Sequence, residues 1–299
     1  MHGDTILYSD CFNEPNPRGE DLSRPSADST QEESGRGQFT LEEVSNLNSK
    51  STKDLVRPCD IKGILHSHSR YCDGAHPLIS MVETAREIGL EYLGISDHFK
   101  TEAHKDGLDV AAVKVQRQEV ELLRKKYPDF GILQGIELDA SPDGSLPMDD
   151  ATLQFFDYVI VSFPENDGYD PETFTDQVVK VAAHPLVTIL GRPVGDSILN
   201  RERKCLDMNR VLEAAAEGKT AVEVNANPDA DHIDWDFCRM AQELGVFMSI
   251  SPDAHRAARL VDYRHGAEQA HDAGLCCSSI LNTLPISDLQ KYFHRNTRL

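Results

Sequence analysis

From Asp60 onward the chain alternates short apolar runs with amphipathic stretches, and this rhythm constrains its fold more than any other feature. Runs of strand length are Ile61–His66, Tyr92–Ser96, Gly131–Glu137, Tyr158–Ser162, Val187–Leu190, Ala221–Asn225 and Val246–Ser251. Between and after them, apolar residues recur with helical spacing at Leu78–Ile88, Val110–Tyr127, Pro171–Val181, Asn209–Glu217, Trp235–Leu244 and Tyr263–Ala273. Strands separated by helix-length segments imply parallel pairing with right-handed crossovers, an α/β class. Seven such units close more naturally into a barrel than into an open sheet, although periodicity alone does not choose between them.

Residues 1–39 show turn chemistry (Asn13-Glu14-Pro15-Asn16-Pro17) and runs of Ser, Asp, Glu and Gly without an apolar period. Thr40–Val44 resembles a helix start, but Asn46–Ser51 loosens again, so residues 1–59 are read as a poorly ordered leader and 60–299 as one domain. The composition, 39% hydrophobic and 27% charged, is that of a globular enzyme. No apolar run approaches the ~20 residues a bilayer crossing needs. The start lacks the basic and apolar regions of a secretory signal. Seven cysteines, odd in number and without CxxC spacing, read as reduced thiols in the cytoplasm.

The formal charge is −20, and residues 1–57 hold only eleven acidic against six basic side chains, so the acidity belongs to the domain. Such a surface opposes a nucleic-acid backbone. Nucleic acid is therefore expected as a substrate only with help from another chain, and a small phosphorylated molecule is the simpler partner. No membrane partner is expected.

Acidic and imidazole groups collect at the carboxyl ends of the strands, where parallel α/β proteins place their sites. His66-Ser67-His68 ends the first strand, and its two imidazoles face the same way. Alone, this HxH reads equally as a surface pair. Asp73-Gly74 follows as a turn, Ser96-Asp97-His98 ends the second strand, Glu137 the third, and Asp253-Ala254-His255 the seventh. Asp/Glu/His groups at the ends of four strands point to a shared metal site. Nitrogen and carboxylate donors without cysteine suit zinc, manganese or iron. Several cations in such a cup clamp phosphate oxygens and activate a water. The chain has no P-loop, dinucleotide fingerprint or nucleophile elbow. His104, His232 and His265 read as surface residues, His184 as a turn residue and Trp235 as core.

Together, His66-Ser67-His68, Asp73-Gly74, Ser96-Asp97-His98, Gly135-Ile136-Glu137 and Pro252-Asp253-Ala254-His255 resemble the ordered motifs of the PHP (polymerase and histidinol phosphatase) family. Pro142-Asp143-Gly144-Ser145-Leu146, Glu223–Pro228 and Leu281-Asn282-Thr283-Leu284 are most similar to the PHP domain at the C-terminus of bacterial family X DNA polymerases. The resemblance implies a distorted seven-stranded (β/α) barrel, up to three divalent cations, and phosphoesterase activity on small phosphate esters or nucleic-acid 3′ ends. By that resemblance His66, His68, Glu137 and Asp253 hold one ion, and Asp73, His98 and His255 a second. Two histidines expected for a third ion are replaced: the chain reads Ser162-Phe163-Pro164 and Gly191-Arg192-Pro193. Two ions are therefore expected rather than three. Glu137, Asp253 and Arg192 are expected to carry catalysis, with the Arg192 guanidinium near Glu137 or a substrate phosphate. The alternatives are a PHP-like barrel that binds partners without turnover, favoured by the loss at Pro164 and Arg192, and an amidohydrolase-type barrel.

Overall fold

A computed structural model describes residues 54–163, 170–191, 206–228 and 235–293. Its sheet has seven strands in sequence order: β1 (Gly63–Ile64), β2 (Tyr92–Ile95), β3 (Gly131–Asp139), β4 (Tyr158–Ser162), β5 (Ile189–Leu190), β6 (Ala221–Asn225) and β7 (Met248–Ser251). Every neighbouring pair is parallel, with registers such as Tyr92↔Gly131, Glu137↔Ile160 and Glu223↔Ser249. The first strand is shorter than the expected Ile61–His66 because its chain divides its pairing between two neighbours. Past Ile64 it leaves the β2 ladder, and Ser67 forms a parallel bridge with Ala254 just beyond β7. The His68 N–H donates to the Ala254 carbonyl at 3.0 Å. That bridge joins the two ends of the sheet, giving the expected α/β barrel of the PHP type.

The helices are α1 (Leu78–Glu87), α2 (Val110–Lys126), α3 (Asp150–Leu153), α4 (Pro171–Ala182), α5 (Met208–Gly218), α6 (Trp235–Glu243), α7 (Tyr263–Asp272) and α8 (Ile286–Phe293). Their starts are set by acidic caps. Asp109, Asp149, Asp170 and Asp207 each accept from a backbone N–H in the first turn of α2, α3, α4 and α5. One stripe of each longer helix faces the sheet: Leu78, Met81, Val82 and Ala85 on α1, and Val113, Gln116, Val120 and Leu123 on α2. None of the described helices is long and apolar enough to cross a membrane.

Strand alternation divides the core in two. Ile132, Ile136, Leu138, Val159, Val161 and Val224 face the helices. Leu133, Tyr158, Ile160, Ile189 and Phe247 face the barrel interior with Leu65, Tyr92 and the α8 residues Leu289, Tyr292 and Phe293. The Tyr158 ring fills the space in front of Gly94 and Gly135, where an added Cβ would come within 2.3 Å of its atoms. Its hydroxyl donates to the Leu65 carbonyl at 2.5 Å. The floor of the barrel is thus apolar and packed. Toward the carboxyl ends the same inward positions become Glu137, Ser162 and Glu223. Residues 54–59, placed in the leader by composition, contribute the fully buried Val56, whose N–H donates to the Leu275 carbonyl. The leader before residue 54 lies outside the described residues.

Candidate metal centre

Barrel closure and strand alternation assemble the centre. His66 and His68 follow β1, with Ser67 turned away to donate to the Gly94 carbonyl. Glu137 projects inward from β3. Its Oε2 lies 3.0 Å from His66 Nε2, 3.4 Å from His68 Nε2 and 3.2 Å from His98 Nδ1. Asp253 follows β7 with φ +48°, a left-handed backbone that a non-glycine residue adopts at a cost. That turn brings Asp253 Oδ1 to 3.0 Å from His68 Nε2 and 3.4 Å from His66 Nε2. Donors about 2.0–2.2 Å from one tetrahedral zinc are ~3.3–3.6 Å apart. The four histidine–carboxylate separations, 3.0, 3.4, 3.4 and 3.0 Å, fall at or below that edge length, and all four donor atoms lie within 4.8 Å of one another, so the set suits a single cation.

A second group lies beside the first. Asp73 Oδ2 is 3.2 Å from His255 Nε2 and 4.0 Å from His98 Nε2. With His68 these side chains offer donor atoms within 4.8 Å of one another. His68 already directs Nε2 at the first group, which leaves Asp73, His98 and His255 for the second. His98 Nδ1, on the Glu137 side of the ring, is buried without a hydrogen-bond partner among the described residues, and Nε2 faces Asp73. The rings stack in series, with His68 centred 4.6 Å from His98 and 4.2 Å from His255.

The electrostatics follow from this crowding. Burial would lower the pKa of His66, but Glu223, Glu137 and Asp253 hold it well above the usual imidazole value. Burial would raise Glu137, yet the imidazoles of His66, His98 and His68 press it well below the carboxylate range. His98 is lowered to about 4, first by burial and then by the neighbouring His68 and His104. Glu137 is thus held charged and His98 neutral, the states metal ligation requires, while His66 would release a proton when a cation binds.

A third grouping, His68, Cys72 and Asp97, is geometrically compact but chemically occupied. Asp97 is fully buried and accepts from the Ser69 N–H at 2.5 Å, Ser69 Oγ at 2.6 Å, Gln116 Nε2 at 2.5 Å and Cys72 Sγ at 2.9 Å. It thereby holds the loop that carries His68 and Asp73.

All seven sequence-predicted ligands, His66, His68, Asp73, His98, Glu137, Asp253 and His255, are therefore brought to one mouth. Arg192 and Pro164 lie outside the described residues. Sequence reasoning missed four neighbours. Glu223 Oε2 lies 2.5 Å from His66 Nδ1. Ser162 Oγ donates to Glu137 Oε1 at 2.5 Å. His104, expected on the surface, stacks on His98 with centroids 3.6 Å apart, and its Nε2 lies 3.0 Å from Asp139 Oδ2. The inward alternation of β3, β4 and β6 would have found Asp139, Ser162 and Glu223. Nothing in the sequence marked His104, which a loop delivers.

The fold and the site define a class: a parallel α/β barrel with a histidine–carboxylate centre at its mouth. The chain belongs to the PHP domain family, whose profile matches residues 65–227, more than half of its length. It is 30% identical over 243 residues to the DNA polymerase/3′-5′ exonuclease PolX of Bacillus subtilis. That alignment covers 81% of this chain and 43% of PolX, so the chain spans less than half of this relative. Among solved structures it resembles histidinol phosphate phosphatase from Lactococcus lactis, crystallised with zinc, L-histidinol and phosphate. The TM-score is 0.52 at 20% identity, covering 70% of this chain and 93% of the other, a likeness of fold.

Proposed function

We propose that the protein is a metal-dependent phosphoesterase that holds two divalent cations and acts on a small phosphorylated molecule. The observation that carries this reading is the position of Glu137 Oε2, within 3.4 Å of ring nitrogens from His66, His68 and His98. One carboxylate oxygen at the junction of two imidazole groups suits a bridge between adjacent cations. Zinc, manganese or iron bound there would polarise phosphoryl oxygens and lower the pKa of a water. His66, His68, Glu137 and Asp253 are assigned to the first ion, and Asp73, His98 and His255 to the second. The other Glu137 oxygen already accepts the Ser162 hydroxyl proton, which supports two ions rather than three.

The choice of a small substrate rests on charge. At −20 the chain repels a polyanion, and an isolated phosphate ester asks only for local cations. The histidinol phosphate phosphatase bound to phosphate provides the parallel on this fold. The alignment to the polymerase relative named as an exonuclease covers only 43% of that protein, so nucleic-acid ends rank second here. A cytoplasmic location is part of the same reading, supported by free thiols at Cys72, Cys276 and Cys277.

The test is elemental analysis of protein purified without chelator, beside hydrolysis of a chromogenic phosphomonoester and phosphodiester. About two metal equivalents per chain, with hydrolysis abolished by chelation and restored by metal, are expected. A chain that retains no metal and hydrolyses neither ester would instead be a partner-binding barrel.

A further inference from the structure

We infer that Glu223 is a positioning residue for the first cation site: its carboxylate accepts the His66 Nδ1 proton and so leaves Nε2 bare to face the ion. The inference rests on the metal-dependent reading above. Glu223 projects inward from the middle of β6, opposite Ser249 in register. Its Oε2 lies 2.5 Å from His66 Nδ1, and both side chains are fully buried. The other ring nitrogen, His66 Nε2, faces Glu137 and Asp253. The imidazole is therefore held at both edges, by a carboxylate behind it and by the ligand cluster in front.

A neutral imidazole carries one N–H, and the group that accepts that proton decides which nitrogen remains available. An anionic acceptor at Nδ1 also makes Nε2 a better donor to a metal. Glu223 is not among the side chains whose donor atoms converge on either cation position. Its Oε1 is buried and has no hydrogen-bond partner among the described residues. Among the described residues His66 is thus the one polar group within hydrogen-bond distance of its carboxylate. A buried carboxylate with a single partner is a costly way to brace a barrel. It is a reasonable way to aim a ligand.

The experiment is a zinc titration against a chromogenic competing chelator, using wild type, Glu223→Gln and Glu223→Leu, with thermal unfolding of each in metal-free form. An outer carboxylate of this kind is worth about 10–100-fold in metal affinity. Glu223→Leu should lose affinity in that range, beyond any loss of metal-free melting temperature from leaving buried His66 without its partner. Glu223→Gln, whose amide oxygen still accepts from Nδ1, should retain affinity between the two. In the zinc-loaded wild type the His66 Nδ1 proton should give a low-field NMR resonance that Glu223→Leu removes. Unchanged affinity in both variants would overturn the inference. So would a metal-free melting temperature that drops equally in both, since that marks a structural brace. If Glu223→Leu does not fold, Glu223→Gln decides alone: wild-type affinity together with an unshifted Nδ1 resonance overturns it. A wild type that binds no zinc overturns the metal-dependent reading itself and is told apart at the first titration.

Discussion

His68 Nε2 stands 3.0 Å from Asp253 Oδ1 although 185 positions separate the two residues in sequence. In an open sheet of seven strands the first and last would lie six spacings apart, ~29 Å at ~4.8 Å per spacing. The parallel bridge Ser67↔Ala254 removes that distance by joining the segment after β1 to the segment after β7. The first cation position exists only because the barrel closes, so the centre and the closure should report on each other.

His68→Ala tests the shared position. His68 faces the first group with Nε2, and its ring stacks against His98 and His255 of the second. Loss of a direct ligand should exceed the roughly 10–100-fold affinity loss of an outer-shell change. Bound metal should fall by about one equivalent, with hydrolysis falling alongside it. Unchanged stoichiometry by elemental analysis would remove His68 from the ligand set.

Asp97→Asn separates a loop anchor from a ligand. The carboxylate satisfies donors on Ser69, Cys72 and Gln116. An amide in its place would turn an N–H₂ toward donors and leave at least one buried donor unpaired, a loss of about 1–3 kcal/mol. Thermal or urea unfolding should register that loss in the metal-free protein. Metal stoichiometry at saturating zinc should remain that of the wild type. A lost equivalent at saturation would make Asp97 a ligand after all.

The longer helices were legible because their burial is one-sided and leaves a period, and the strands because both of their faces are buried and leave short continuous apolar runs. Tyr158–Ser162 and Ala221–Asn225 match the observed strands residue for residue. Leu78, Met81, Val82 and Ala85 form the expected helical stripe. The candidate ligands were legible because strand ends in a parallel sheet converge on one face. Short elements were not: α3 has four residues, too few to show a period. Helix α8 covers the apolar floor with Leu289, Tyr292 and Phe293, and its spacing is readable only once a floor is known to need covering. Contacts across the barrel, such as Glu223 with His66, depend on closure, which periodicity did not decide.

The Asp73–His255 pair should give the metal-free protein a recognisable pH dependence. Burial would lower His255, but the hydrogen bond to Asp73 and the nearby Asp253 raise it to about 9. Burial would raise Asp73, but the bond to His255 holds it well below its ordinary range. A raised histidine contributes stability that is complete below its ordinary value near 6.5 and is lost as pH rises through about 9. A lowered aspartate contributes stability present above its ordinary value near 3.8 and lost as pH falls. The difference in melting temperature between wild type and Asp73→Asn, both stripped of metal, should peak between about pH 4 and 6.5. It should shrink toward pH 9. Solvent screens this half-exposed pair, so the peak should stay within about 1 kcal/mol. A difference that grows with pH above 7 would contradict the assignment.

His104 offers a last test, because the loop that carries it is locally pinned. The Thr101 and Gly107 N–H groups donate to the His104 carbonyl, and the His104 N–H donates to Thr101 Oγ1 at 3.1 Å. The loop is tied back where the Leu108 N–H donates to the His98 carbonyl at 2.8 Å. The result is a face-to-face stack with ring planes only 11° apart. Two imidazoles so close tolerate at most one positive charge, consistent with His98 being lowered to about 4 by burial, His68 and His104. His104 thereby helps keep His98 neutral and covers one of its faces. A ring pair of this kind contributes about 0.5–1.5 kcal/mol beyond simple burial, or about 2–10-fold in an equilibrium. His104→Ala should therefore weaken the second, looser step of a zinc titration by about 2–10-fold and leave the first step unchanged. His104→Phe keeps a ring over His98 but gives up the contact with Asp139. If stacking is what matters, Phe should restore most of what Ala loses. Equal losses in Ala and Phe would assign the effect to Asp139 instead, and an unchanged second step in both would exclude His104 from the centre.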